Sequence, residues 1–258
     1  MNIKGTCISS ITDEHGPVYV YETKTSRILS FDGEIYQSCM KLNNINGLHL
    51  GYTQAMMTGL FFVPTFKTVT IMGLGAGCMT KNLLSSFTEI NVHAIEYREA
   101  VVKSAIKYFH LPDSDRLTLY IDDAVSYMER NQMKSDIIFS DLYNSKGMEP
   151  KQVQSSYLRD CKNALTDKGV LVLNIWHTTF QSHDELNKLL SLDFENRLVS
   201  FEVDSGNTIV LAFKNDIPSV KEEELLAKGK CLEEKMNIPM KFYARLLWNT
   251  QHYKFSTK

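Results

Sequence analysis

Two regimes of hydrophobic spacing divide the chain. From Gly16 to Leu42, apolar and polar residues alternate in short runs that are separated by turn residues, which is typical of antiparallel strands. Because an Asp-Gly pair tolerates the positive φ angles of a two-residue hairpin turn, Asp32-Gly33 is predicted to join two of these strands. The predicted strands are Val18 to Glu22, Arg27 to Phe31 and Ile35 to Met40. We expect a small antiparallel β module over residues 1–50.

From Gly51 onward the spacing is different. A helix-like run, TQAMMTGLFFV, is followed by apolar strand-like runs that alternate with amphipathic helical segments. This alternation predicts βαβ units, right-handed crossovers and a mostly parallel sheet, so we expect an α/β domain over residues 51–258. The strand-like runs are TVTIMGLG, NVHAIEY, LTLYIDD, SDIIFSDLY and GVLVLNIW, with an edge hairpin from FENRLVSFEV and NTIVLAFKND. The helical runs are CMTKNLLSSF, REAVVKSAIKYF, AVSYMERN and QSSYLRDCKNAL, with VKEEELLAKGKCLEEKMN and IPMKFYARLLW after Asn215.

Composition narrows the classes of function. The 258 residues carry a formal net charge of -2 and the basic residues are scattered, so a nucleic-acid partner is not favoured. The five cysteines are far apart and form no CxxC, which argues against a disulfide framework or a zinc site. No window is apolar over the ~20 residues that a membrane helix needs, and the start has no signal-peptide pattern. We expect a cytoplasmic protein without a metal or a membrane partner.

The run VTIMGLGAGCMTKNLL places three glycines, Gly73, Gly75 and Gly77, between an apolar strand and a helix. Glycine lets the backbone approach a nucleotide-like ligand closely, because it has no Cβ. The motif alone is a weak signal, since the same glycines could serve only to make a tight turn. Neighbouring acids decide between the two interpretations.

Each of the next three strands ends in an acidic residue. Glu96 follows the second strand, Asp123 follows the third and Asp141 follows the fourth. Open α/β sheets bind ligands at the carboxyl edge of their strands, and an acid at the end of the second strand can accept hydrogen bonds from ribose hydroxyls. The sequence therefore predicts that the glycine turn and the three acids share one site.

The form of the turn separates two nucleotide-binding interpretations. A nicotinamide dehydrogenase would have GxGxxG, whereas this turn is GxGxG and the acids recur after three strands. That pattern is typical of a Rossmann-like sheet of the S-adenosylmethionine methyltransferase type. We expect the glycine loop beside the methionine part of such a ligand, Glu96 on the ribose and Asp123 near the adenine amino group.

In its sequence motifs the chain resembles the spermidine synthase family, the polyamine aminopropyltransferases. The resemblance spans Val18 to Phe213 and implies a methyltransferase-like sheet with a small N-terminal β domain. It also implies an enzyme that moves an aminopropyl group to a putrescine-like amine acceptor, and a homodimer. The motifs that carry it are DGEIYQS, LGYTQAMM, GLGAG, IEYREAVVKSAIKYF, LYIDDAVSYM, SDIIFSDLYNSKGMEP and LRDCKNALTDKGVLVLNIW.

The resemblance assigns roles to individual residues. Asp141 would orient or deprotonate the attacking amine. Tyr52 would line the acceptor pocket and act together with Asp141 in catalysis. Tyr143 and Asn144 would contact the acceptor substrate. The co-substrate would be decarboxylated S-adenosylmethionine or S-adenosylmethionine, without a metal. Its binding residues would be Gln37, Gly73, Gly75, Gly77, Glu96, Asp122, Asp123 and Ala124.

The chain departs from the family pattern at three acidic positions. The family turn usually has an aspartate where this chain has Ala76, and that aspartate binds the ammonium of the decarboxylated donor. A second aspartate is replaced by Asn144, and the glutamate after the pocket tyrosine is replaced in the neighbourhood of Gln54 and Ala55. An unpaired ammonium in a buried site costs several kcal/mol, so these losses bear on the choice of substrate.

Three functional hypotheses therefore stay open. The first is an aminopropyltransferase. The second is an S-adenosylmethionine-dependent methyltransferase, because without an acid at Ala76 the carboxylated tail of that donor is less repelled. The third is a non-catalytic nucleoside-binding relative.

Two further features have plain interpretations. Arg98, Lys103 and Lys107 form a charged stripe on the helix REAVVKSAIKYF, which predicts a solvated face. His177 follows the fifth strand and could be a base, although a loop histidine is more often exposed to solvent.

Overall fold

The computed structural model describes residues 3–176, 183–204 and 206–255. The N-terminal part is a four-stranded sheet in the order β1-β2-β3-β4, and every neighbouring pair is antiparallel. It is separate from the large sheet, although the boundary at residue 50 stays a prediction. Its strands are β1 (Thr6–Asp13), β2 (Gly16–Glu22), β3 (Ser26–Ser30) and β4 (Ser38–Lys41).

Two details of this module differ from the sequence prediction. Strand β1 was not predicted, because it lies at the edge of the sheet and none of its residues is fully buried, so its polarity does not alternate clearly. The two-residue turn at Asp32-Gly33 was also wrong, since pairing between β3 and β4 resumes only at Ser38. The carboxylate of Asp32 instead accepts hydrogen bonds from the N–H groups of Glu34 and Ile35, both at 2.8 Å. This builds a longer link between β3 and β4.

The larger part is a seven-stranded sheet in the order β12-β13-β11-β8-β5-β6-β7. Strand β13 is antiparallel to both of its neighbours, and all other pairings are parallel, so the predicted α/β sheet with an edge hairpin is confirmed. The strands are β5 (Thr68–Met72), β6 (Asn91–Glu96), β7 (Leu117–Ile121), β8 (Ser135–Ser140), β11 (Leu165–Trp176), β12 (Leu198–Val203) and β13 (Asn207–Phe213). A two-stranded hairpin, β9 (Tyr143–Asn144) and β10 (Gly147–Met148), follows β8.

Helices cover both faces of this sheet, as a mostly parallel sheet requires. Side chains of Val69, Val92, Ile137 and Val172 pack on one side, and those of Met72, Ile95, Ile138 and Leu173 pack on the other. The first face is covered by α1 (Gly51–Met56), α2 (Cys78–Ser86), α3 (Glu99–Phe109), α7 (Glu222–Met236) and α8 (Met240–Gln251). The second is covered by α4 (Ala124–Arg130), α5 (Ser155–Ala164) and α6 (His183–Phe194), the last of which the sequence patterns did not predict. Short 3₁₀ turns cover Met57–Phe61, Pro150–Val153 and His252–Lys254.

Within the described ranges, no helix combines the length and the apolar character that a membrane span requires.

Arg98 joins the two sheets, and the prediction that it lies on a solvated face is wrong. Its side chain is buried, donates to both carboxylate oxygens of Asp13 at 2.7 and 3.0 Å and to the carbonyl of Gly16 at 2.7 Å, and lies over the ring of Phe31. The predicted solvated face holds for Lys103, which is exposed and pairs with Glu99 one turn away. A single arginine therefore ties the β1–β2 hairpin to the start of α3.

Replacing Arg98 by methionine should destabilise the protein by about 3 kcal/mol, because Asp13 then keeps a largely buried charge without its partner. Chemical denaturation monitored by circular dichroism measures this change. Lys103→Met is the matched control, since an exposed i,i+4 pair contributes at most about 0.5 kcal/mol. Equal losses in the two variants would show that the Arg98 pair does not join the sheets.

Candidate active site

A cavity of about 720 Å³ opens at the carboxyl edge of the large sheet. It lies at the boundary between β5 and β8. Strands β6 and β7 continue the sheet beyond β5, whereas the later strand β8 lies on the other side of β5, and open α/β sheets bind ligands at such a switch in strand order. The link between β3 and β4 also lines the cavity. The cavity is lined by eleven of the predicted site residues: Gln37, Tyr52, Gly73, Gly75, Glu96, Asp122, Asp123, Ala124, Asp141, Tyr143 and Asn144.

Gly77 and Ala76 are not among the residues that line the cavity. Gly77 is the N-cap of α2 with a φ of 71°, and a Cβ there would meet Leu111 at 2.6 Å. Ala76 is fully buried in the apolar cluster between the N-terminal sheet and α3, and its N–H donates to the hydroxyl of Ser38 at 3.1 Å. Position 76 therefore lies in the apolar core of this chain. The alanine side chain there packs among apolar neighbours.

The glycine loop is shaped by contacts with the neighbouring elements. Gly73 has a φ of 92°, and a Cβ there would clash with the backbone carbonyl of Asp141. Gly75 has a φ of 54°, and a Cβ there would lie 2.7 Å from the hydroxyl oxygen of Ser38. Both positions need glycine, because a side chain is disfavoured by the backbone and also has no room. The loop therefore packs directly against the end of β8 and against β4.

Glu96 holds this loop from the end of β6. Its carboxylate accepts hydrogen bonds from the N–H groups of Leu74 and Gly75, both at 3.2 Å, and from the N–H of Arg98 at 3.1 Å. Burial raises the pKa of Glu96, and these three hydrogen bonds act against that rise. An ionised carboxylate has about four acceptor positions, so the side chain keeps capacity for a hydroxyl donor in the cavity.

The two acids after β7 already have protein partners. Asp123 caps α4, because one of its oxygens accepts from the N–H of Ser126 at 2.9 Å and from the hydroxyl of the same residue at 3.1 Å. The other oxygen of Asp123 lies 4.0 Å from the ammonium of Lys151. Asp122 forms an ion pair with Arg130. The oxygen of Asp123 that faces Lys151 is therefore the one available to a ligand.

Asp141 lies directly after β8 at the floor of the cavity. Burial raises its pKa to about 6, against hydrogen bonds from the side chains of Asn174 and Tyr52 that lower it. The amide nitrogen of Asn174 donates to its Oδ1 at 2.8 Å. A carboxylate with this pKa is mostly ionised at neutral pH and gains a proton readily, which suits a general base.

Two tyrosines flank Asp141. The pKa of Tyr52 is raised well above its ordinary value by burial and by the charge of Asp141, and its hydroxyl lies 3.5 Å from the carbonyl of Gln37. Burial and Asp141 also raise the pKa of Tyr143, whose hydroxyl donates to the backbone carbonyl of Asn174 at 3.3 Å. Both phenols stay protonated at neutral pH, so they can donate hydrogen bonds. Their rings line the cavity.

The structure also places residues in the site that the sequence analysis did not select. Asn174 and Asn207 line the cavity, and Gln152 lies buried behind it. One signal was available for Asn174, because it interrupts the apolar run GVLVLNIW. Among the selected residues, Asn144 is exposed and donates to Glu149 at 3.3 Å across the β9–β10 hairpin. His177 lies outside the described residues.

Comparison with known proteins identifies the family. Residues 49–193, more than half of the chain, match the family model of the spermine/spermidine synthase domain. The chain belongs to the spermine/spermidine synthase family. It is 28% identical over 211 residues to a polyamine aminopropyltransferase of Neisseria meningitidis serogroup A, covering 81% of this chain and 79% of the relative.

One solved structure and one further sequence relative show how far the similarity extends. The crystal structure of a probable spermidine synthase from Corynebacterium glutamicum superposes with a TM-score of 0.74 at 16% identity and covers 97% of each chain, which confirms the fold. An eEF1A lysine and N-terminal methyltransferase of Bos taurus is 24% identical over 206 residues, covering 73% of this chain and 30% of the relative. The predicted family and its enzymatic class are confirmed, whereas the roles of single residues stay predictions.

Replacing Gly73 by alanine should lower stability by about 2 kcal/mol or more and abolish nucleoside binding. The added methyl group meets the Asp141 carbonyl in a backbone conformation that alanine rarely adopts. Thermal unfolding and titration calorimetry with methylthioadenosine measure the two effects. Gly51→Ala is the control, because a Cβ at Gly51 would meet nothing within 4 Å. A Gly73→Ala protein with unchanged binding would contradict the assigned loop geometry.

Proposed function

We propose that this protein transfers an aminopropyl group from decarboxylated S-adenosylmethionine to an amine acceptor of the putrescine type. The observation that carries the proposal is the placement of Asp141. A largely buried carboxylate with a pKa of about 6 lies beside the glycine loop, in contact with Tyr52. The match to the spermine/spermidine synthase domain and the named activity of the Neisseria relative support the same reaction.

The reaction needs a neutral amine, a proton acceptor and alignment. In our proposal Asp141 accepts a proton from the acceptor ammonium, and the freed amine attacks the carbon next to the sulfonium of the donor. A carbon–nitrogen bond forms, the carbon–sulfur bond breaks, and its electron pair leaves on sulfur as methylthioadenosine. Because the sulfonium is already an activated leaving group, positioning and proton transfer supply most of what the protein must add.

The donor would lie along the glycine loop. Glu96 keeps acceptor capacity for ribose hydroxyls, and the oxygen of Asp123 that faces Lys151 would accept from the adenine amino group. Gln37 from the N-terminal module and Tyr52 from α1 also line the cavity. This arrangement directs the sulfonium end of the donor toward Asp141, because Gly73 and Asp141 are in contact.

A second candidate is methyl transfer from S-adenosylmethionine to an amine. The observation that favours it is Ala76, since this position is buried and apolar and offers no acid to a donor ammonium. The bovine methyltransferase relative is consistent with it. Asp141 would have the same role toward the acceptor in both reactions.

A cytoplasmic location, expected from the sequence pattern, and a homodimer, expected from the family resemblance, also remain proposals.

Asp141→Asn should lower kcat by at least about 100-fold, because the amide cannot accept the acceptor proton. Methylthioadenosine binding should change less than threefold, since Asn keeps the volume of the side chain. Product formation from decarboxylated donor and putrescine, followed by chromatography, gives the rate, and calorimetry gives the binding. A variant that retains most of its rate would contradict the role of Asp141.

The pH profile of kcat/KM should have an acid limb near pH 6. Burial raises the pKa of Asp141 to about 6, so below that pH the carboxyl is protonated and cannot accept a proton. The limb should fall about tenfold per pH unit. Two acceptor amines of different basicity separate this limb from titration of the substrate, because a limb due to Asp141 stays in place. A limb that moves with the amine would contradict the assignment.

The choice of donor can be decided by binding. Aminopropyl transfer predicts that methylthioadenosine binds at least about tenfold more tightly than S-adenosylhomocysteine, because the cavity would be adapted to a tail without a carboxylate. Titration calorimetry of both products measures the ratio. The reverse preference would favour methyl transfer and count against the first proposal.

A further inference from the structure

The side chain of Asn174 occupies a buried polar position in a strand that is otherwise apolar. It is 1% exposed and lies near the end of β11, between Leu173 and Ile175, which pack into the core on the opposite face. Its amide nitrogen donates to Oδ1 of Asp141 at 2.8 Å, and its amide oxygen accepts from the amide nitrogen of Asn207 at 2.8 Å. Asp141, directly after β8, thus forms one chain of hydrogen bonds with Asn174 of β11 and Asn207 of β13.

The chemistry of these groups fixes the orientation of the Asn174 amide. An ionised carboxylate only accepts hydrogen bonds, so the nitrogen of Asn174 must face Asp141. The oxygen of the same amide then faces Asn207, whose nitrogen can satisfy it. If the amide were turned around, two acceptors would face each other at Asp141 and two donors at Asn207.

The backbone of Asn174 is held as firmly as its side chain. Its carbonyl accepts from the side-chain nitrogen of Gln152 at 2.8 Å and from the hydroxyl of Tyr143 at 3.3 Å. The side-chain oxygen of Gln152 accepts from the hydroxyl of Ser140 at 2.9 Å. Because Ser140 directly precedes Asp141, the buried Gln152 links the end of β8 to the backbone of Asn174.

We propose that Asn174 is a positioning residue that holds Oδ1 of Asp141 so that Oδ2 is presented to the acceptor amine, and that Asn207 fixes the direction of the Asn174 amide. This proposal rests on the proposed function for the identity of the acceptor. The hydrogen-bond geometry itself does not depend on which amine or which donor the enzyme uses.

The surroundings of Asp141 indicate that Asn174 affects the proton affinity of this carboxylate as well as its orientation. The titratable groups that face it are the phenols of Tyr52 from α1 and Tyr143 from β9, and the thiol of Cys78 from α2 lies next to Tyr52. The hydrogen bond from Asn174 lowers the pKa of Asp141 and opposes the effect of burial. Loss of this donor should therefore raise the pKa of Asp141 further above 6.

Direct titration of Asp141 tests the proposal without using activity. Carbon-13 NMR of aspartate-labelled protein reports the carboxyl pKa, and Asp141→Asn identifies the signal. We expect Asn174→Leu, which has a similar volume but no donor, to raise the pKa by about one unit. Asn207→Asp should also raise it, because the Asn174 amide turns its nitrogen to the new carboxylate and its oxygen to Asp141.

A double-mutant cycle shows whether Asn207 acts through Asn174. In the Asn174→Leu background, Asn207→Asp should shift the pKa of Asp141 clearly less than it does alone. Additive shifts would overturn the orienting role of Asn207, since they would mean that the new charge acts directly. Ile175→Val is the control for general loosening of β11, because its side chain faces the opposite side of the sheet, and it should leave the pKa unchanged.

Activity measurements add a second readout. For Asn174→Leu, the acid limb of kcat/KM should move up with the titrated pKa, and kcat should fall more than KM changes. An Asn174→Leu protein that is folded but has an unchanged Asp141 pKa and an unmoved acid limb would overturn the proposal. If the wild type lacked transfer activity while its Asp141 still titrated as expected, the proposed function would fail and the positioning role would stand.

Discussion

The contact between the glycine loop and the end of β8 is the constraint on which the site depends. The carbonyl of Asp141 packs against the backbone of Gly73, so the residue that would take the proton and the loop that would hold the donor are fixed to each other. Glu96 restrains the same loop from the other side through two backbone N–H groups. A single rigid edge therefore carries both halves of the proposed chemistry.

Burial of Asp141 gives this edge its chemical character. A carboxylate at a solvated strand end would stay a weak base, whereas here burial raises its pKa to about 6 and hydrogen bonds from neutral side chains keep the rise moderate. Those donors come from separate elements, Tyr52 on α1 and Asn174 on β11. The N-terminal module completes the enclosure, and the buried ion pair between Arg98 and Asp13 ties it to the sheet. Packing across the module boundary thus shapes the cavity.

Local pattern predicted most of the framework. The alternation of apolar strands and amphipathic helices, the glycine turn and the acid at each strand end are features of neighbouring residues, so the large sheet and Glu96, Asp123 and Asp141 were visible in the sequence. Strand β1 lies at the sheet edge without a clear alternation, and the local hydrogen bonds of the Asp32 carboxylate build a longer β3–β4 link than an Asp-Gly turn. The burial of Arg98 depends on its contact with the distant Asp13. Asn174 and Asn207 were not predicted as site residues for the same reason. They are 33 positions apart in the sequence, and their side chains come into contact only because β11 pairs with β13.

The proposed function requires that an adenosyl sulfonium donor lie between Glu96 and Asp141 along the glycine loop. A crystal structure of the protein with methylthioadenosine tests it most directly. We expect ribose hydroxyls within about 3.2 Å of the Glu96 carboxylate and the thioether sulfur over Gly73 and Gly75, facing Asp141. A nucleoside bound elsewhere, or with its sulfur directed away from Asp141, would contradict it.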